Sequence, residues 1–157
     1  MILPNMDKKD KDIINSMMSL KTNNLQIIAE QVKISKSSVQ KRIKKLEEEG
    51  IIKGFIPELN EDNLPQQITA ISMIRAKYGP DYAVKIGGEI SKIEGISSVY
   101  YVLGDYDFVA IIKAKGRKDL EEIMNKISSI ERIERSSTIT VLSTFREDPT
   151  AFYRLDD

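Results

Sequence analysis

An α+β chain of two modules, a small helical head followed by a four-stranded βαββαβ unit, is predicted by three observations. Amphipathic helical runs separated by a short turn occupy residues 25–50, bounded by residue types that cap helices. From residue 67 onward, short β-branched runs alternate with helical ones in the order βαββαβ. Between the two lies Asn60-Glu61-Asp62-Asn63-Leu64-Pro65, the clearest linker in the chain, which places the head at 1–60, the linker at 61–65 and the second domain at 66–157.

In the head, Asp7 is placed to cap a helix running to about Leu20, with Ile13, Ile14, Met17, Met18 and Leu20 as its buried face. Residues 21–24 form a loop, and Asn24 caps the next helix, where Leu25, Ile28, Ala29 and Val32 follow the i, i+3, i+4, i+7 spacing. The chain turns at Lys33-Ile34. Ser35 caps a third helix whose Val39, Ile43 and Leu46 share one face, and Gly50 is its expected stop. The residue entering such a turn often needs positive φ; Lys33 stands there at a cost of about 1 kcal/mol at most. This is a helix-turn-helix. Ile51–Leu59, rich in β-branched and aromatic residues, reads as a strand, half of a small wing.

On the opposite face of the third helix, 100° per residue puts Ser37, Gln40, Lys41 and Lys44 toward solvent, with Ser35, Lys36 and Ser38 at its N-terminal end. From Lys33 to Lys45 there are six basic residues and no acidic one. A lysine run alone is often an ordinary solvated face. Its place in a capped helix-turn-helix points instead to double-stranded DNA. A helix fits the major groove, lysines neutralise phosphates, and Ser and Gln hydrogen-bond base edges.

The second module begins with a strand over 67–77, ending at Tyr78-Gly79-Pro80. Asp81 is expected in the first turn of a helix that buries Ala83, Ile86, Ile90 and Ile93 and closes at Gly95. Strands follow at Ile96–Val102 and Phe108–Ala114, antiparallel across the Gly104-Asp105-Tyr106-Asp107 turn. A helix over 117–130 carries Leu120, Ile123, Met124 and Ile127 on one face, and a last strand runs over 133–145. This order is the ferredoxin-like split βαβ, with helices on one sheet face. In the third strand both Phe108, Ala110, Ile112 and the alternate Val109, Ile111 are apolar, so the uncovered face also needs burial. A second copy of the sheet is the simplest cover, and an obligate homodimer is expected.

Composition narrows function further. Apolar residues make up 41% of the chain, and no run approaches the roughly 18 needed to span a bilayer, so a soluble cytoplasmic protein is expected. MILPNMDKKDKD turns charged after a few apolar residues, too soon for a secretory signal. Net charge is zero, but residues 1–60 hold 11 Lys+Arg against 8 Asp+Glu, leaving the remainder acidic by the same margin. There is no cysteine or histidine, hence no disulfide, no thiolate metal site, no imidazole base and no thiol nucleophile. No glycine-rich phosphate loop is present either. No enzyme, metal or prosthetic cofactor is expected.

The segment Ile27–Phe55, IIAEQVKISKSSVQKRIKKLEEEGIIKGF, resembles the DNA-binding half of the Lrp/AsnC (feast/famine) regulators of bacteria and archaea. It matches that family's pattern at Ala29, Val32, Ser35, Val39, Arg42, Ile43, Leu46, Glu47, Gly50, Ile52 and Gly54, and departs from it at Lys33 and Lys36. The resemblance implies a winged helix-turn-helix domain and a ferredoxin-like (RAM/ACT-like) domain that binds an amino-acid effector and assembles dimers into tetramers or octamers. From its residues alone the Gly104–Asp107 turn is a tight β-turn. By resemblance it is the effector loop, so Gly104, Asp105, Tyr106 and Asp107 are carried over, with Ser136 and Thr138 and, more weakly, Glu122 and Glu134. Two rivals stand beside this reading. One is an amino-acid sensor without DNA binding that acts by hetero-assembly. The other is a siroheme-decarboxylase-like enzyme, which the absence of histidine disfavours.

Overall fold

The computed structural model describes residues 6–60, 64–65, 67–148 and 151, and these fall into two compact units. One runs from the N-terminus to Leu59 together with the segment from Arg146, the other from Asn60 to Phe145. Of the expected linker, 61–63 lie outside the described residues.

The first unit holds α1 (Lys8–Ser19), α2 (Leu25–Val32) and α3 (Lys36–Glu48). All three expected N-caps form: Asp7 accepts from the Asp10 amide, Asn24 from those of Gln26 and Ile27, and Ser35 from that of Ser38. Lys33 takes the left-handed conformation at φ 56°, ψ 51°, the turn geometry expected of it. Gly50 at φ 70° ends α3, with its amide bonded to the Glu47 carbonyl (3.0 Å) and that of Ile51 to Leu46 (2.9 Å), the paired closure of a Schellman turn. The core joins Ile13 and Met17 to Ile28, Ala29, Val32, Val39 and Ile43.

Two expectations for this unit fail. Leu20 is 44% exposed because α1 stops at Ser19; the remaining inward positions go to Asp10 and Ser16. No strand forms over Ile51–Leu59 among the described residues. β-propensity alone cannot satisfy a strand's N–H and C=O groups, which need a neighbouring strand.

The second unit contains β1 (Ile68–Ala76), α4 (Tyr82–Ile90), β2 (Ile96–Tyr101), β3 (Phe108–Ala114), α5 (Arg117–Ser128) and β4 (Ile133–Thr140). The antiparallel sheet has the order β2-β3-β1-β4, so the predicted βαββαβ architecture is present. Register aligns Ala70, Ser72 and Ile74 with Ile112, Ala110 and Phe108 on one side of β1 and with Thr140, Thr138 and Ser136 on the other. That face lies under the helices, α4 on β2 and α5 on β3 and β4, and its apolar residues form the core with Tyr82, Ile86, Ile90, Ile123 and Ile127. The opposite face carries Ile71, Met73, Val109, Ile111, Tyr100 and Ile139, the last two more than half exposed.

Several boundaries and one burial differ from expectation. Asp81 sits just before α4 at φ 54° with no side-chain cap bond, so the first turn begins with Tyr82. Gly95 does not close α4, which ends at Ile90. At φ 90° it makes the turn into β2 beneath Ile123, where a Cβ would collide. Met124 is 36% exposed, on the flank of α5. β4 stops at Thr140 rather than residue 145, since the pairing with β1 ends there.

The left-handed Lys33 supplies a direct test. Lys33→Gly removes the Cβ penalty, partly offset by a more flexible unfolded chain, and should stabilise the head by up to about 1 kcal/mol in urea unfolding.

Candidate functional site

In the head the site is a helix face, held in place by charge. Asp7 and Asp10 cap α1 reciprocally: the Asp10 amide donates to Asp7 Oδ1 (2.9 Å) and the Asp7 amide to Asp10 Oδ2 (3.2 Å). Both carboxylates also reach α3. Arg42 Nη1 donates to Asp7 Oδ2 (2.7 Å) and Asp10 Oδ1 (2.6 Å), with Lys45 3.8 Å from Asp10. Asp10 is fully buried, so its charge is held through these partners. The guanidinium, with the Asp10 amide, keeps the Asp7 carboxyl below the usual carboxylate range, and Asp7 and then Asp10 raise Arg42 in turn. Lys9 Nζ donates to the Val32 carbonyl (2.9 Å), tying α1 to the exposed end of α2. Sequence reasoning gave Arg42 no role beyond matching a pattern. The signal was available in Asp-x-x-Asp ahead of a helix with one arginine among lysines.

This clamp leaves Lys36, Ser37, Gln40, Lys41 and Lys44 exposed on one face of α3. Ser38 is half-buried. Ser35 is exposed, but its hydroxyl oxygen caps the helix and lies 3.1 Å from Ser37 Oγ. Lys44 makes an exposed i,i+4 pair with Glu48 at 3.7 Å, a contact too solvated to withhold it from a phosphate.

In the second unit the expected effector residues divide. Asp105 is exposed, and Tyr106 is half-buried with its hydroxyl accepting from Arg135 (3.4 Å). Asp107 is buried and committed: Oδ2 accepts from the Ala76 amide (2.8 Å) and Oδ1 from the Tyr82 hydroxyl (3.3 Å). Glu134 is exposed 3.7 Å from Arg75. Ser136 and Thr138 lie on the helix-covered face, where Thr138 Oγ1 donates to the buried Ser72 (3.0 Å). Glu122 is exposed on α5. Tyr82 and Tyr101 went unnoticed in the sequence, although Tyr82, Ile86 and Ile90 have helical spacing. Their hydroxyls are 2.8 Å apart, and this bond, with burial, pushes Tyr82 well above the usual phenol range. Among the described residues no group of three or more metal-ligating side chains comes together.

Comparison with known proteins covers both units. A family profile described as winged helix-turn-helix DNA-binding matches residues 6–53, and one described as Lrp/AsnC ligand binding domain matches residues 69–151. An HTH-type transcriptional regulator of Pyrococcus abyssi is 35% identical over 143 residues, 91% of this chain and 96% of its own. The HTH-type transcriptional regulator FL11 of the same organism is 32% identical over 90% of this chain and 93% of its own. A feast or famine regulatory protein from M. tuberculosis, solved complexed with L-methionine, shares the fold at a TM-score of 0.77. It is 23% identical over 92% of this chain and 97% of its own.

The clamp predicts both a mutational and a pH effect. Arg42→Ala strands the buried Asp10 and should cost the head roughly 2–3 kcal/mol, on the low side for buried pairs because Arg42 is 30% exposed. Because the folded Asp7 pKa is depressed, its contribution is full above the unfolded value of about 4 and fades as pH falls through the folded one. Urea unfolding of wild type and Asp7→Asn between pH 7 and 3 should show the steeper acid loss in wild type.

Proposed function

This chain belongs to the Lrp/AsnC family of HTH transcriptional regulators, and from that premise we propose how it reads DNA and senses a ligand. The observation that carries the reading is the clamped, capped α3 with Lys36, Ser37, Gln40, Lys41 and Lys44 exposed on one face. In a major groove the lysines neutralise phosphate, and Ser37 and Gln40 reach base edges. Ser35 and Ser38 hold the helix start. The head over 1–60 reads DNA, the segment 61–65 links, and the sensing part of 66–157 is the sheet-and-helix unit that ends at Phe145. DNA as partner makes the location cytoplasmic.

The ligand is an α-amino acid, as L-methionine is in the M. tuberculosis complex. With Asp107 committed to β1 and α4, direct contact falls to Gly104, Asp105 and Tyr106, and the family resemblance adds Ser136, Thr138, Glu122 and Glu134. The apolar sheet face of Ile71, Met73, Val109 and Ile111 is covered by a second copy, making a homodimer that places two heads on a two-fold site. A ligand contacting more than one subunit has different affinities for different assemblies and shifts their populations, and with them the spacing of the heads.

Lys41→Ala or Lys44→Ala should weaken target and random DNA alike and reduce the salt slope by about one, whereas Gln40→Ala should narrow the gap between target and random DNA. Titrations at several salt concentrations check both; a Lys41→Ala protein altered only in specificity would refute this sorting. Light scattering with and without each common amino acid tests the sensing. A ligand that binds tightly yet moves neither the size distribution nor DNA affinity contradicts it.

A further inference from the structure

Both ends of the 102–107 loop meet at one hydroxyl. Tyr101 and Phe108 face each other as the last β2–β3 pair, and the Val102 amide donates to the Asp107 carbonyl (2.8 Å), closing the loop at its base. Beyond that base the two side chains flanking the loop turn to the same residue. The Tyr101 and Tyr82 hydroxyls are 2.8 Å apart, and the Tyr82 hydroxyl donates to Asp107 Oδ1 at 3.3 Å. Either hydroxyl can donate across the tyrosine pair, and both contacts converge on Tyr82. The rings reinforce the tie: Tyr82 stands edge-on to Tyr101 and to Phe108, with centroids 6.0 and 6.5 Å apart. Tyr82 is the first residue of α4, so whatever moves the loop pulls on that helix.

We propose that Tyr82 is the positioning residue of the effector loop, holding Gly104–Tyr106 in the geometry that receives an amino acid and coupling the loop to α4. The proposal rests on the reading of this loop as the effector site and adds what holds it. The carboxylate of Asp107 belongs to this support, and the ligand meets Gly104, Asp105 and Tyr106.

Tyr82→Phe keeps the ring packing and removes only the hydroxyl, so it isolates the tie. In calorimetric titration of the full-length protein, first with L-methionine and then with the other common amino acids, it should weaken binding about tenfold. Tyr101→Phe should do the same, and the double variant should bind no worse than either single one, because both break one network. In the absence of ligand, hydrogen exchange at Leu103–Tyr106 should quicken in Tyr82→Phe. A tyrosine that serves the core alone would lower the unfolding midpoint while leaving ligand affinity and the coupling untouched. Wild type and Tyr82→Phe binding an amino acid equally well overturns this role and spares the effector reading. A wild type that binds none of the twenty removes the effector reading and this role with it. Should Tyr82→Phe fail to fold, Tyr101→Phe, whose ring is 60% exposed, breaks the same pair and carries the test.

Discussion

A single guanidinium shared by two carboxylates sets the geometry on which the head depends. Val39, Ile43 and Leu46 press α3 against its neighbours, but apolar contact is non-directional and tolerates sliding along the helix axis. The bonds from Arg42 to Asp7 and Asp10 have direction, and they lock α3 to the first turn of α1. The same carboxylates cap α1, so the start of one helix and the placement of another are one network. Its location explains why it is hard to replace. Asp10 is buried, and a buried carboxylate without its partner is worse than none. The face of α3 turned away from the clamp is left to lysine, serine and glutamine.

The second unit is organised by β1. As a central strand paired on both sides, it fixes the register of β3 and β4 and supplies the amide, at Ala76, that captures Asp107. The two crossover helices lie on the same face of the sheet, so that face is a closed core while the other keeps a band of isoleucine, methionine and valine. Small residues at Ala70, Ser72, Ala76, Ala110 and Ala114 floor the covered face. Phe108, the largest fully buried side chain there, lies against Tyr82 and Tyr101 and so joins the core to the loop end of the sheet.

The loop shows where residue type and residue role part company. Asp105 and Asp107 look alike in a Gly-Asp-Tyr-Asp run, and both are plausible ligand contacts on chemistry alone. Position decides: Asp105 is exposed, whereas Asp107 is buried and bonded to two donors from other elements. Neither donor is near it in sequence, so no local pattern announces the difference. Ser136 and Thr138 are a similar case. Strand alternation gives them a common face, but only pairing with β1 makes that face the helix-covered one, where Thr138 meets Ser72.

What the sequence by itself determined is everything carried by short-range periodicity and cap chemistry. The three head helices, their caps at Asp7, Asn24 and Ser35, the left-handed Lys33, the Gly50 stop and the βαββαβ order all follow from interactions within a few residues. Tertiary structure decided whatever needs a partner distant in the chain. Ile51–Leu59 has strand propensity but no strand beside it among the described residues. Leu20 has the right period but no helix beyond Ser19 to carry it inward. Arg42, Tyr82 and Asp107 acquire their roles from residues between 19 and 35 positions away. Propensity and capping are local energies that a sequence displays directly, whereas a buried charge or hydroxyl is placed by the fold that brings its partner.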